Sequence, residues 1–231
     1  MKSTGRNTRS FASVVVIAAF MLVALGCQSA PGPRQATGAL QGVVFDLSDS
    51  PVSGALIVIE GPGGKASATT DSQGRFSIPG LRAGEYTLAF SKAMYEGRSW
   101  PIVLSDFADA AYLKAASYWQ LLEAALTALG EKELGEAEDF LARARAVQDR
   151  SPTSLFLEGV LAERRGDYAA AIGDLEAATA LDARSAFLWL YLADLYERSD
   201  AGADKEAEAL DKYLDLRDDP AAAERRKILG R

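Results

Sequence analysis

The sequence predicts two folded parts in series: a small antiparallel β-sandwich over residues 39–105, then an α-helical solenoid of about three repeats over residues 106–220. Three observations lead to this prediction. Apolar residues alternate with polar ones up to Leu104 and recur at helical spacing afterwards. Gly, Pro, Asp and Ser interrupt the first part about every ten residues. The second part is similar to itself at an offset of 34 residues.

The N-terminal segment has the pattern of an export signal. Lys2, Arg6 and Arg9 precede the uncharged run Phe11–Leu25. That run is shorter than the roughly 20 apolar residues that span a bilayer. A basic start followed by a short apolar run is typical of a secretory signal peptide. We therefore expect residues 1–26 to be a signal peptide.

Cys27 is the only cysteine and follows this run directly. The sequence "ALGC" at Ala24–Cys27 resembles a bacterial lipobox. The resemblance implies cleavage before Cys27, lipidation of its thiol, and attachment of the mature protein to a membrane through that lipid. Gln28 resembles the residue that follows the cysteine in outer-membrane lipoproteins, which implies the periplasmic side of the outer membrane in a cell with two membranes. A secreted soluble protein and an uncleaved anchor are the alternatives.

Composition narrows the classes of partner. The chain has 25 basic and 32 acidic residues, and removal of residues 1–26 leaves 22 basic ones, a net charge of −10. This balance argues against nucleic-acid binding, which needs clustered Lys and Arg. Residues 27–38 are rich in Pro, Gly and small polar residues and predict a flexible tether.

Six strands are predicted from alternation and turn residues: Gly42–Leu47, Ala55–Glu60, Lys65–Asp71, Arg75–Gly80, Glu85–Phe90 and Trp100–Leu104. Four motifs at Gly42–Val44, Pro51–Ala55, Thr70–Phe76 and Gly80–Tyr86 accompany them. Together they resemble the carboxypeptidase regulatory-like domain, a transthyretin-type β-sandwich. The resemblance covers about 65 residues and implies an accessory, non-catalytic domain.

The motif residues also have local explanations. Asp71 can accept hydrogen bonds from the backbone just after it while Gly74 adopts a positive φ, which closes a hairpin. Tyr86 after Gly84 resembles a tyrosine corner, whose hydroxyl would hold a crossing connection. A calcium site formed by Asp46, Asp49 and Asp71 is the alternative to turn chemistry, although the closely spaced oxygen ligands of calcium loops are missing. No metal or cofactor is therefore predicted.

Asp106 is the predicted N-cap of a long helix that ends at Gly130. The 34-residue period that follows is the length of a tetratricopeptide (TPR) repeat. The stretch 152–183 resembles that family through Gly159, the segment Gly166–Tyr168, and the set Ala171, Leu175 and Ala178.

Repeats are predicted at about 118–151, 152–185 and 186–220, with a capping helix at 221–231. In the third repeat the segment Asp200–Asp204 is expected to lengthen the turn by four residues. Ala209 and Tyr213 would then replace Ala171 and Leu175.

No catalytic constellation is visible, because the chain lacks histidine and its one cysteine is expected to carry lipid. Surface recognition remains. In TPR proteins the first helix of each pair lines a groove for a peptide or partner helix. Carried over to this sequence, the groove contains Trp119, Leu122, Phe156, Val160, Arg164, Phe187, Asp194 and Arg198. Alternatively, some of these side chains, Leu122 and Phe156 among them, belong to the core between repeats.

The leading hypothesis is therefore a non-enzymatic, lipid-anchored adaptor of the cell envelope that binds an unidentified protein or peptide. The alternative is a glycan- or peptidoglycan-binding lipoprotein in which the helices act as a spacer. Tyr95 and Trp100 are the candidate sugar-binding aromatics of that alternative. A hydrolase is the least supported hypothesis.

Overall fold

The computed structural model describes residues 38–105, 109–199 and 201–230. Signal peptide, Cys27, tether and Asp106 lie outside these residues. Seven strands come first in the described ranges: β1 (Gly38–Phe45), β2 (Leu56–Gly61), β3 (Gly64–Thr69), β4 (Arg75–Leu81), β5 (Gly84–Ser91), β6 (Arg98–Leu104) and β7 (Asp109–Lys114). Seven helices follow: α1 (Tyr118–Glu131), α2 (Leu134–Val147), α3 (Pro152–Arg164), α4 (Tyr168–Leu181), α5 (Ala186–Ser199), α6 (Ala203–Leu214) and α7 (Pro220–Leu229).

The strands form two sheets that enclose one apolar core. The first sheet has the order β4-β1-β7 and the second the order β3-β2-β5-β6. All neighbouring strands are antiparallel except β1 and β7, which run parallel from the pair Leu40 and Asp109 to the pair Phe45 and Lys114. Side chains from both sheets, such as Leu40, Ile57 and Leu88, are buried between them.

The turn chemistry expected at Asp71 is confirmed. Its Oδ1 accepts hydrogen bonds from the backbone nitrogens of Gln73 and Arg75, at 2.8 and 2.9 Å. These bonds hold the pKa of the Asp71 carboxyl below its usual value, because they stabilise the charged form. Gly74 has φ +73°, a conformation that favours glycine.

Two of the family motifs meet inside the sandwich. The Phe76 ring lies across Gly42, so a Cβ atom at Gly42 would overlap the ring and lie 2.7 Å from the carbonyl oxygen of Ala111. Gly42 is therefore required for close approach and not for a turn.

The prediction of a tyrosine corner at Tyr86 is wrong. The Tyr86 side chain is buried, and its hydroxyl has no hydrogen-bond partner among the described residues. The ring instead packs against the tip of the β2–β3 hairpin, where a side chain at Gly61 would overlap it. Packing explains this tyrosine better than hydrogen bonding does.

The long helix predicted from Asp106 is also wrong over residues 109–114, which form β7, so the sandwich extends beyond the predicted boundary at residue 105. Within β7, Ala111 and Leu113 face inward while Tyr112 is exposed, which is the period of a strand. The first helix begins only at Tyr118. Ser117 is its N-cap and forms a capping box with Gln120.

The helices form three antiparallel pairs with a regular spacing. The first helices begin at Tyr118, Pro152 and Ala186, which are 34 residues apart. The predicted small-residue positions Gly159, Ala171 and Ala178 are all buried. A Cβ atom on Gly159 would overlap the Leu175 side chain. These are TPR-type repeats, because the small residues let paired helices approach closely.

The third repeat differs from its prediction. Helix α6 begins one residue later than the 34-residue period places it, so the turn is not lengthened by four. Buried Glu206 and Leu210 occupy the places of Ala171 and Leu175, instead of Ala209 and Tyr213. A carboxylate is tolerated there because the Arg225 guanidinium of α7 reaches it, with Nε 2.7 Å from Oε1.

The sandwich and the helices belong to one compact unit. Only three residues separate β7 from α1, and the backbone nitrogen of Tyr118 donates to the carbonyl oxygen of Met94 at 2.8 Å. Arg143 of α2 reaches the Glu96 carboxylate with two nitrogens, at 3.1 and 3.0 Å. None of the described helices has the length and apolarity that a bilayer crossing needs.

Candidate protein-binding groove

The first helices of the three pairs share one face, because equivalent positions in successive repeats point the same way. We call this surface the first-helix face and define it by Trp119 and Leu126 of α1, Phe156 of α3, and Phe187 and Tyr191 of α5. Trp119 and Phe187 occupy equivalent positions, two periods apart. The side chains of Trp119, Leu126 and Phe187 are 60%, 58% and 57% exposed, respectively.

The eight predicted groove residues divide by depth. Trp119, Arg164, Phe187 and Arg198 are exposed, whereas Phe156 and Asp194 are half-buried. Leu122 and Val160 are buried, at 3% and 9% exposure, in the core shared by the first two repeats. Their prediction as groove-lining residues is corrected, since neighbouring helices cover them and a partner cannot contact them.

An aromatic cluster joins the second and third repeats. The Phe156 ring centre lies 5.0 Å from that of Phe187 and 5.1 Å from that of Tyr191, and both pairs meet edge to face. Such pairs are favourable beyond their buried area. Tyr191 was missed by the sequence reasoning, although its position one helical turn after Phe187 places it on the same face.

A polar group borders this cluster. The Tyr191 hydroxyl donates to Oε2 of Glu163 at 2.5 Å, and Arg198 forms an ion pair with the same carboxylate. The Arg198 guanidinium also lies 5.7 Å from the Tyr191 ring centre. Burial, and then the bond to Glu163, raises the pKa of Tyr191 to about 12, so it remains a neutral donor at physiological pH.

Asp194 serves the end of the helical stack. Its carboxylate oxygen lies 2.5 Å from Nη1 of Arg225, which also bonds to Glu206. Glu197 lies 3.3 Å from the same guanidinium. Asp194 therefore helps to hold α7 in place and is not a free charge on the first-helix face.

The aromatics proposed for sugar binding are less accessible than the alternative hypothesis needs. Tyr95 and Trp100 are both half-buried against the sandwich core, and Tyr95 meets Phe90 edge to face at 6.2 Å. Burial raises the pKa of the Tyr95 hydroxyl. The exposed aromatic of the sandwich is Tyr112, at 62%, which the sequence reasoning had placed in a helix.

The three aspartates of the calcium alternative have separate roles. Asp46 Oδ1 accepts from the backbone nitrogens of Ser48 and Ser50, Asp71 closes its own turn, and Asp49 lies 2.7 Å from Nζ of Lys114. In the described ranges no group of three or more His, Cys, Asp or Glu residues is arranged to hold a metal ion.

A β-sandwich joined to stacked helix pairs, with an exposed aromatic face on the first helices, defines a repeat protein with an accessory β domain. Comparison with known families agrees for the sandwich. Residues 39–111 match the carboxypeptidase regulatory-like domain, which confirms that prediction and includes the start of β7. No curated protein matches the chain.

Several solved structures share parts of the fold. The Arabidopsis OM64 TPR domain is 17% identical with a TM-score of 0.43, covering 49% of this chain and 93% of that one. The first TPR of Spaghetti (RPAP3), bound to the HSP90 peptide SRMEEVD, is 14% identical with a TM-score of 0.43, covering 49% and 92%. The Bacillus anthracis TIE protein is 18% identical with a TM-score of 0.33, covering 36% and 17%, so this chain spans only a small part of it. Scores below 0.5 carry no argument, and the repeat fold rests on the helix geometry above.

Proposed function

We propose that this chain is a lipid-anchored envelope protein whose helical repeats bind a protein partner through the first-helix face. The observation that carries the proposal is the aromatic cluster of Phe156, Phe187 and Tyr191, in which Phe187 stays 57% exposed. Aromatic side chains held in place by neighbours are the usual anchors of interfaces.

The anchor of the proposal is Cys27, supported by the sequence pattern alone. Lipid on Cys27 would hold the protein at the membrane, since each buried CH₂ contributes about 0.8 kcal/mol. The Cys27→Ser variant should lose incorporated labelled fatty acid and move to the soluble fraction. A variant that stays on the membrane and is processed as before would contradict this part.

Partner binding is tested by capture. The chain with Cys27→Ser is immobilised and exposed to envelope extract, and the captured proteins are identified. Phe187→Ala should reduce capture about tenfold, because interface anchors contribute about 2 kcal/mol or more. Leu181→Ala is the matched control, since Leu181 is 56% exposed on α4, away from the first helices. Equal capture by both variants would contradict the groove.

A second candidate function, glycan binding by the sandwich, is favoured by the surroundings of Tyr112. This ring borders a hollow of about 740 Å³ that also contains Gln41, Thr69 and Ser77. Amide and hydroxyl groups beside an exposed ring suit a sugar. The chain should then cosediment with cell-wall material, and Tyr112→Ala should abolish this. Cosedimentation that Tyr112→Ala leaves unchanged would reject the site.

A further inference from the structure

Helix α5 begins beside the end of α6, and a cleft of about 620 Å³ lies between them. Phe187 lines both this cleft and the first-helix face, so the two surfaces are continuous. Leu190 and Leu216 add apolar surface, with Leu216 38% exposed. The volume falls within the roughly 300–1,000 Å³ that is usual for binding pockets.

Two arginines flank the apolar part of the cleft. Arg184 precedes α5 and Arg217 follows α6, and both are exposed. Among the described residues neither forms an ion pair, in contrast to Arg198, Arg225 and Arg226, which all do. No acidic residue lines the cleft, although the whole chain has a net charge of −7.

The carboxylates next to the cleft are already engaged. Asp182 accepts from the backbone nitrogen of Arg184 at 3.2 Å. Asp219 accepts from the Tyr213 hydroxyl at 2.9 Å and from the backbone nitrogen of Ala221 at 2.9 Å. Neither carboxylate has an ion pair with the two guanidinium groups, which remain available to a ligand.

We infer that this cleft receives an acidic segment of the partner, in which an apolar side chain contacts Phe187, Leu190 and Leu216 while flanking carboxylates pair with Arg184 and Arg217. The inference rests on the proposed function, because the cleft continues the first-helix face. Charge complementarity supports it, since guanidinium groups without a partner match carboxylates of opposite charge.

The probe is a random peptide library selected on the immobilised chain at low ionic strength, where charge pairs are least screened. Peptides selected on the unmodified chain should be enriched in Asp and Glu around an apolar residue. The double variant Arg184→Gln with Arg217→Gln should bind those peptides about threefold to tenfold more weakly, the range expected for two exposed charge pairs.

The matched control is Arg82→Gln with Arg150→Gln, which removes the same charge from exposed arginines elsewhere. The inference is overturned if the selected peptides have no acidic excess, if they bind both double variants equally, or if no peptide is selected. The capture experiment with Phe187→Ala is independent of these outcomes. Capture that depends on Phe187 but not on the two arginines therefore rejects the acidic segment and leaves the proposed function intact.

Discussion

The two ends of the helical stack are covered in different ways. At the first end the β-sandwich contacts α1 and α2 through backbone hydrogen bonds at Tyr118 and Glu96, with Arg143 bonded to the Glu96 carboxylate. At the second end the single helix α7 is held by Arg225, which bonds to Glu206, to Asp194 and to the carbonyl oxygen of Ala193. Each junction thus contains an arginine–glutamate pair.

The pairs differ in burial. The Glu206 side chain is 7% exposed and that of Glu96 is 17% exposed. Arg98 lies 3.5 Å from Glu96 as a second cation, so the first junction does not depend on Arg143 alone. A stack of repeats needs a cover over each terminal apolar face. Here a whole domain provides one with redundant contacts, and one helix provides the other with a single buried pair.

The largest expected effect is at the second end. Arg225→Met should lower the free energy of unfolding of the last repeat by about 3–5 kcal/mol, because Glu206 would remain charged and buried without a partner. Urea denaturation and hydrogen exchange at α6 and α7 measure this loss.

Adding Glu206→Ala to Arg225→Met distinguishes the pair from simple packing. The double variant should recover most of the lost stability, since the unpaired carboxylate is removed and alanine occupies this position in the preceding repeat. A double variant as unstable as Arg225→Met alone would show that the two ends do not differ in the way described.

The next effect tests whether the sandwich really covers the first end. Gly42→Ala should destabilise the sandwich by about 1–3 kcal/mol, because a methyl group would force the Phe76 ring aside. If the sandwich protects the stack, hydrogen exchange in α1 should also accelerate. Gly54→Ala is a comparison with open space but the same small change. Unchanged exchange in α1 would mean that the repeats are stable without their cover.

A smaller effect is expected at Arg143. Arg143→Gln should lower the free energy of unfolding by about 1–2 kcal/mol, because Glu96 keeps Arg98 and some contact with water. The measurement is denaturation of this variant beside Arg225→Met. A loss equal to that of Arg225→Met would remove the contrast between the two junctions.

The smallest effect concerns a residue between the ends. Burial, together with the negative charge of Glu158, raises the pKa of the Asp174 carboxyl on α4. The folded state therefore holds its proton more tightly than the unfolded one, and this group costs stability as pH rises past about 4.

Asp174→Asn should then stabilise the protein at pH 7 and have no effect at pH values below the ordinary aspartate pKa. Thermal denaturation across this pH range, with exposed Asp218→Asn as the control, measures the difference. A gain that does not depend on pH would exclude burial of the charge as its cause.

Local signals in the sequence were sufficient for much of the fold. Asp71 and Gly74 identified their hairpin, and small residues at Gly159 and Ala171 identified the helix pairs. Strand β7 was missed because its alanine-rich sequence suits a helix, and only the free edge of β1 makes it a strand. Glu206 was missed for a related reason, since the arginine that permits it comes from α7.

The groove was predicted less well than the fold. Trp119 and Phe187 are exposed as expected, but Leu122 and Val160 are covered by neighbouring helices. The repeat period gives the direction of a side chain, whereas its depth depends on what packs over it. The cleft at Arg184 and Arg217 depends on two loops meeting, which no local pattern indicates.

The parallel pairing of β1 and β7 has a mechanical consequence. The chain enters the sandwich at Gly38 and leaves it at Lys114, at opposite ends of two adjacent parallel strands. Tension between the preceding segment and the helices therefore acts along both strands in opposite directions. The hydrogen bonds of the ladder share that load and must rupture together, whereas strands pulled from one end separate bond by bond. The sandwich is thus built to resist stretching between the N-terminal side of the chain and whatever the helices hold.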